Sequence, residues 1–441
     1  MQPVNHYIRF GSNTEAKILR NRALKGKSFG LTMNANVIAH TPASIYRMLF
    51  TSFPDIDFFI DPQTYIVQFD PLKYYSSKKK KDGKEVTQLK NSVHTLLSEY
   101  GEPVSTIINS MGRLYPSDFK SSIDELTRNV IHFQKSFLVN SYESKKTDDG
   151  YDDYSDHEGY EEKTIEPKYL IPPYFFLSLD EKDWLELNIR AVQEAIDLER
   201  AEKIAPEIVL EKQVFFSETF MDNIAEAYNS IGEIETIFIW IDDFNETGVS
   251  ASYLKKLIQF LKKFKNKKVI NLYGGYFSLI LCNEGLLKGF CHGPGYGEHR
   301  GVKPVGGGIP TAKYYLPQIC KRIDFELVLS VLKRKDLLNK RYFNEICNCS
   351  VCRHLLAPIP NENNFSEYGK YQVSSSGKIQ IPTVDTLKYN QLHYLLKRFS
   401  EIKEIDLGTD KERLREFIEW NRRLKIVSTQ HLENWLKVLN E

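Results

Sequence analysis

The sequence has no apolar stretch long enough to span a bilayer. Its first residues, Met-Gln-Pro-Val-Asn-His-Tyr, lack the apolar core of a signal peptide. Neither charge is in excess: 59 Lys and Arg face 58 Asp and Glu, for a net charge of +1. A soluble, cytoplasmic protein without a membrane-spanning helix is the expectation. Balanced charge neither requires nor excludes a nucleic-acid partner, because local patches decide that. Cysteine is scarce, 6 in 441 residues, and a reducing compartment suits free thiols. The length has room for one large domain with an appendage, or for two domains.

Half of that scarce cysteine stands in one run, Cys347-Asn-Cys349-Ser-Val-Cys352. Thiolates this close cannot all pair as disulfides, but they can surround one soft divalent ion. Zinc takes four nitrogen or sulfur ligands in a tetrahedron, and C-x-C-x-x-C presents three sulfurs to one point. Three buried core thiols are the alternative. The fourth ligand must come from elsewhere. His393 lies in an amphipathic helical pattern that can aim its ring into a loop, whereas His354 is only two residues past Cys352, where the backbone can hardly fold back. His393 is therefore the favoured ligand and His354 the second choice.

Two low-complexity stretches interrupt the chain. Lys78–Lys81 is a lysine run in a polar segment, and Lys145–Lys163 is too acidic and too poor in aliphatics to build a core. Flexible insertions are expected near 73–90 and 144–165. Elsewhere, short runs rich in Phe, Ile, Val and Tyr read as buried strands: Phe29–Met33, Asp57–Ile60, Tyr174–Leu179, Val214–Phe216, Thr236–Ile241, Val269–Tyr273, Gly289–Cys291 and Lys313–Leu316. Helical patterns lie between them at Pro42–Phe53, Trp184–Glu202, Met221–Ile231, Ser250–Phe264 and Tyr276–Asn283. Strand–helix alternation implies parallel sheet, and eight such strands predict an α/β fold of the (β/α)8 TIM-barrel type. The expected organisation is an N-terminal extension over 1–28, a barrel over 29–325 and a helical zinc-binding module over 326–441. The basic stretch Lys321–Arg341 is read as helices that could track a phosphate backbone, or as a solvated face.

In such a barrel the chemistry lies at the C-terminal ends of the strands. Those ends are polar here: Asp61, then Asp180 and Glu181, then Glu218, then Asp242 and Asp243, then Gly274 and Gly275, then the loop from His292 through Tyr296, Glu298 and His299 to Arg300. A carboxylate just past a strand often caps the next helix. Brought round one mouth, however, these carboxylates would form an acidic pocket suited to an NH-rich ring such as a guanine edge. The glycines of Gly293–Gly301 and Gly306–Gly308 could let backbone N–H groups approach a phosphate, or could form tight turns.

With these motifs the chain resembles the tRNA-guanine transglycosylase superfamily, and most nearly its DNA 7-deazaguanine transglycosylase branch from modification and restriction clusters. The resemblance rests on Cys347, Cys349 and Cys352 with a later helical histidine, and on Ile60-Asp-Pro-Gln-Thr-Tyr65. It implies a structural zinc site after the barrel, a role for Asp61 at a strand end, base recognition near Asp180, and a guanine or 7-deazaguanine base in DNA or RNA as substrate. It also implies partner proteins from a modification or defence cluster. Two features depart from the family. Its nucleophile is an Asp near the end of the seventh strand, where this chain has His292, Glu298 and His299 and no Asp before Asp324. Its zinc histidine falls at least one helical turn earlier, where this chain has Asn390.

Base exchange would need a carboxylate to attack or stabilise the oxocarbenium-like C1′, and a second group to manage the proton on the leaving base. Asp61 and Asp243 are the expected pair, with His292 and Glu298 near the nucleophile position. Asp180, Glu181, Glu218, Asp242, Gly274, Gly275, Tyr296 and Arg300 are expected to contact substrate. Two other functions fit the same residues: a non-catalytic nucleic-acid-binding subunit of this fold, and a barrel hydrolase or nuclease holding divalent ions on Asp242, Asp243 and Glu218.

Overall fold

A computed structural model describes residues 4–11, 13–79, 85–110, 112–149, 165–295, 297–303, 311–374, 377, 379–405, 410–425 and 428–441. Most of the acidic stretch, Tyr296 and Gly306–Gly308 lie outside these residues, so the readings made on them are not addressed by the fold.

The centre is a curled, half-barrel sheet of seven parallel strands. In chain order they are β1 (Asn5–Phe10), β2 (Gly30–Asn34), β3 (Phe58–Asp61), β4 (Glu207–Leu210), β5 (Thr236–Ile241), β6 (Lys268–Asn271) and β7 (Gly289–His292). Their order across the sheet is β3-β2-β1-β7-β6-β5-β4. Single parallel bridges, Phe59 to Tyr169, Leu170 to Ile204 and Leu177 to Leu210, link the β3 edge to the β4 edge through the segment 169–177.

Both faces of the sheet are covered, which is why its strands read as continuous apolar runs. In β5, Ile237, Ile239 and Ile241 join the large core under the helices, while Phe238 and Trp240 join a second cluster on the concave face. That inner cluster is aromatic: Tyr7, Phe59, Tyr65, Tyr169, Tyr174 and Tyr273 pack with Phe238 and Trp240. The covering helices include α1 (Pro42–Ser52), α2 (Ile123–Asp149), α3 (Trp184–Leu198), α4 (Glu218–Asn229), α5 (Ala251–Leu261) and α6 (Tyr276–Asn283). In α5 the buried residues Leu254, Leu257, Phe260 and Leu261 recur with helical period, as an amphipathic helix on a sheet requires.

After the sheet come an antiparallel hairpin, β8 (Lys313–Leu316) and β9 (Lys321–Asp324), and the helices α7 (Phe325–Arg334), α8 (Ser350–Leu356), α9 (Val384–Ile405), α10 (Asp410–Leu424) and α11 (Gln430–Leu439). The last helix returns to the sheet layer, where the Trp435 indole donates to the Glu246 carbonyl at 2.9 Å.

Four strand expectations are corrected. Asn5–Phe10, read as part of an extension, lies inside the sheet between β2 and β7; its buried His6 and its inward-facing Arg9 broke the apolar pattern. Val214–Phe216 is a 3-10 turn, and the strand is Glu207–Leu210 just before it. Tyr174–Leu179 contributes one bridge rather than a strand. Lys313–Leu316 pairs antiparallel with Lys321–Asp324, outside the parallel sheet. The basic stretch therefore opens as a strand. Its cations have local partners: Lys333 pairs with Glu362, Arg341 with Glu345, and Arg322 lies over the Tyr394 ring.

Candidate metal centre and strand-end site

The run after residue 345 cannot continue as helix because its cysteines turn back on one point. Cys349 caps α8 and its sulfur accepts from the Cys352 N–H at 3.5 Å, while the Cys347 sulfur accepts from the Cys349 N–H at 3.4 Å. From the middle of α9, His393 turns its Nδ1 toward all three sulfurs, 3.6 Å from Cys347, 3.5 Å from Cys349 and 3.4 Å from Cys352. The four ligand atoms all lie within 4.8 Å of one another. Bond lengths of about 2.3 Å to sulfur and about 2.0–2.1 Å to nitrogen, at a tetrahedral angle, put S and N roughly 3.6 Å apart. The cluster could thus hold a metal ion, and its spacing is compatible with zinc.

The surroundings hold the four groups in this arrangement. His393 Nε2 donates to the Tyr315 carbonyl at 2.7 Å, which leaves the Nδ1 lone pair for the cluster. The Tyr314 ring stacks on the imidazole at 4.3 Å. The hydroxyls of Tyr368, Tyr342 and Tyr314 lie 3.1, 3.4 and 3.5 Å from Cys352 Sγ. Against the burial that opposes ionisation, the neighbouring thiols of Cys347 and Cys349 and the His393 ring hold the Cys352 thiol well below its ordinary value. His354 takes no part in the cluster.

At the carboxyl end of β3, Asp61 is 4% exposed and belongs to the concave face. Pro62 offers no N–H, but the Gln63 N–H donates to Asp61 Oδ1 at 3.0 Å, and the Tyr174 hydroxyl donates to the same oxygen at 2.5 Å. Burial raises the Asp61 carboxyl above the usual range, against the opposing pull of Tyr174, Arg300, Gln63 and Arg9. Arg9 lies 3.5 Å over the Tyr273 ring and donates to the Leu272 carbonyl. Arg300 reaches in from the loop after β7 and donates to the Tyr273 hydroxyl at 3.0 Å. Its carbonyl accepts from the Trp240 indole at 3.0 Å and from the Asp243 N–H at 2.9 Å, which fastens this loop over the strand ends. Of the residues singled out by sequence, Asp61 and Arg300 are brought together here.

The others are dispersed. Asp243 sits at a left-handed φ of 47° with its side chain 61% exposed, beside Lys212 and His299. Asp242 accepts from the Val302 N–H at 2.8 Å and holds the loop. His292 faces the helix layer, 2.8 Å from His6. Its Nδ1 donates to the Gly293 carbonyl at 3.0 Å, so its Nε2 accepts from His6; burial drives both imidazoles below their ordinary range. Glu298 accepts from the Tyr394 hydroxyl at 2.6 Å and from Arg398 at 2.9 Å, and so ties the loop to α9. Asp180 is exposed, and Glu181 pairs with Arg113 and accepts from the Trp184 indole. Glu218 pairs with Lys256 and Lys263 on and just after α5, so it does not meet Asp242 and Asp243 in a cation site. The Gly275 N–H donates to Glu246 at 2.9 Å and the Gly274 N–H to the Cys291 carbonyl at 3.0 Å, so both amides are spoken for within the protein.

Sequence reading missed Arg9, Glu207, Glu246 and Arg398. A charged residue inside an apolar run, as in Ile8-Arg9-Phe10 or Pro206-Glu207-Ile208, is the signal that could have found the first two. Glu246 accepts from the Gly275, Phe277 and Ser278 N–H groups and the Ser278 hydroxyl, capping α6; burial pushes its carboxyl up to about 7. No protein-family model, no curated protein and no solved structure matches the chain.

Proposed function

We propose that the chain is a transglycosylase-like (β/α)8 barrel that recognises a guanine-type base of DNA or RNA at the strand ends around Asp61, with a structural zinc in the Cys347, Cys349, Cys352 and His393 cluster. In this reading the segment 169–177 is the eighth staves' position of the barrel, supported by its parallel bridges to both sheet edges. The reading is carried by one observation: a buried carboxylate stands at a strand end among Tyr65, Tyr174, Trp240 and Tyr273, with Arg9 and Arg300 beside it. Aromatic faces stack a flat base, the carboxylate accepts from its N–H edge, and a guanidinium donates to its carbonyl. The zinc would hold three thiolates and one imidazole, leave no open position, and fix α9 against the loop that carries Glu298 and Arg300.

Recognition is better supported than exchange. The inward-facing residue near the end of β7 is Cys291, whose thiol burial pushes up to about 12, a poor nucleophile. His292 and Glu298 are engaged elsewhere. Exchange keeps one support, the Asp61 carboxyl raised by burial toward the range useful in proton transfer. Incubation of the protein with duplex DNA or tRNA and labelled guanine separates the two. Binding without label incorporation is expected; incorporated label would establish exchange, and neither binding nor incorporation would refute both.

A further inference from the structure

A narrow, half-open cleft lies between the loop after β7, the β8–β9 hairpin and α9. Counted out to its open mouth it holds about 320 Å³, and Gly295, Lys313, Arg322, Asn390, Gln391 and Tyr394 are among its walls. Asn390 is 8% exposed. Its Nδ2 donates to the Tyr368 carbonyl at 2.7 Å and to the Thr386 carbonyl at 2.9 Å. Both amide protons are thereby spent and the carboxamide is fixed, so that Oδ1 can only accept. That oxygen has no hydrogen-bond partner among the described residues, and neither has the buried Oε1 of Gln391. Gln391 lies against Gly295, where a Cβ would come 2.9 Å from its Nε2, so glycine suits this wall. Two buried acceptors lining one cleft call for a ligand that donates.

The hairpin supplies positive charge to the same cleft. Lys313 stands opposite Asp324 in register and Tyr315 opposite Arg322, so Lys313 and Arg322 are diagonal neighbours on one face. The Arg322 side chain is 12% exposed and lies over the Tyr394 ring. Its Nη2 is 3.9 Å from Glu298 Oε2, longer than a hydrogen bond, while Glu298 Oε1 is taken by Arg398 and Tyr394. A ligand here must carry negative charge for Lys313 and Arg322 and a proton for Asn390 and Gln391. Water has the proton without the charge. A carboxylate, a sulfate or a phosphodiester has the charge without the proton at neutral pH. Hydrogen phosphate has both on one tetrahedral group.

We propose that this cleft binds a protonated phosphate, its P–OH donating to the amide oxygens of Asn390 and Gln391 and its charged oxygens accepting from Lys313 and Arg322. The site is distinct from the strand ends around Asp61 and does not depend on a base binding there.

Calorimetric titration of the full chain with inorganic phosphate and with sulfate, at about pH 6, tests this. At that pH phosphate carries protons and sulfate carries none, while sulfate has the larger charge. Attraction to the cations alone would favour sulfate. Phosphate is expected to bind at least about 10-fold more tightly than sulfate, which leaves both acceptors unpaired. Gln391→Met keeps the length of a half-buried side chain and removes one acceptor, with thermal unfolding to establish that the variant is folded. It should weaken phosphate binding about 10-fold and leave sulfate unchanged. Lys313→Met should weaken both ions. Methyl phosphate identifies the source: affinity equal to that of inorganic phosphate assigns the cleft to an esterified phosphate, and much weaker binding assigns it to the free ion. Sulfate bound as tightly as phosphate, no phosphate binding, or wild-type phosphate affinity in folded Gln391→Met would overturn the proposal.

Discussion

Arg398 Nη2 donates to Glu298 Oε1 at 2.9 Å, and this bond joins the helix that carries His393 to the loop that carries Arg300. Arg398 is fully buried and also lies 3.1 Å from Glu401, which accepts from the Tyr315 hydroxyl at 2.7 Å. The cluster and the strand ends are thus two ends of one packed unit. Removing the guanidinium would leave the buried Glu401 without its cation and take one cation from the part-exposed Glu298. Arg398→Met should destabilise the fold by roughly 3–5 kcal/mol, the cost of breaking a buried ion pair from one side. Urea unfolding measures it, and a change below about 1 kcal/mol would show that the network carries little.

The candidate metal centre gives a second expectation. Freshly prepared reduced protein should carry about one zinc per chain, and Cys349→Ser should lose it with the order of the C-terminal helices. Tyr368→Phe removes the hydroxyl 3.1 Å from Cys352 Sγ while keeping the ring. It should weaken zinc affinity on the order of 10-fold, as loss of an outer partner does. Competition with a chromophoric chelator reads both changes.

Glu246 sets a pH dependence with a definite sign. Its folded value, about 7, lies above the unfolded value of 4.5. Between these values the folded chain holds a proton that the unfolded chain has released, so stability falls as pH rises across that window. Its contribution is fully present below about pH 4.5 and lost above about pH 7. Two and a half units correspond to roughly 3 kcal/mol. Glu246→Gln should flatten this slope in denaturant titrations between pH 5 and 7, and an unchanged slope would assign it to another group.

The seam between β1 and β7 is close. A Cβ on Gly289 would overlap the Asn5 carbonyl oxygen, which is backbone and cannot yield easily. Gly289→Ala should destabilise by about 1–3 kcal/mol, the usual cost of overpacking. Thermal unfolding checks it, and a stability equal to wild type would show that the strands can separate at this point.

Much of the sheet was legible because strands buried on both faces are apolar throughout. Thr236–Ile241 is such a run, and its limits agree between sequence and structure. Asn5–Phe10 and Glu207–Leu210 were not legible for the opposite reason: each contributes a charged residue, Arg9 or Glu207, to the concave face. The thiol spacing pointed to the Cys347, Cys349, Cys352 and His393 cluster, since it converges within one short loop, and His393 follows from helix geometry. The strand-end carboxylates misled because a carboxylate past a strand has several uses. Asp242 holds a loop, Glu218 bridges helices and Asp243 meets solvent, and local sequence does not distinguish these from a ligand contact.

Calorimetric titration of guanine into wild type and Asp61→Asn tests the central claim most directly. Asparagine keeps the shape of the side chain, and matched thermal unfolding of the two proteins establishes that both are folded. Wild type should bind guanine, and Asp61→Asn should bind roughly 10- to 100-fold more weakly, the worth of a hydrogen bond to a charged acceptor. No binding by wild type, or equal affinity in the two folded proteins, would contradict the assignment of a base-recognition site to these strand ends.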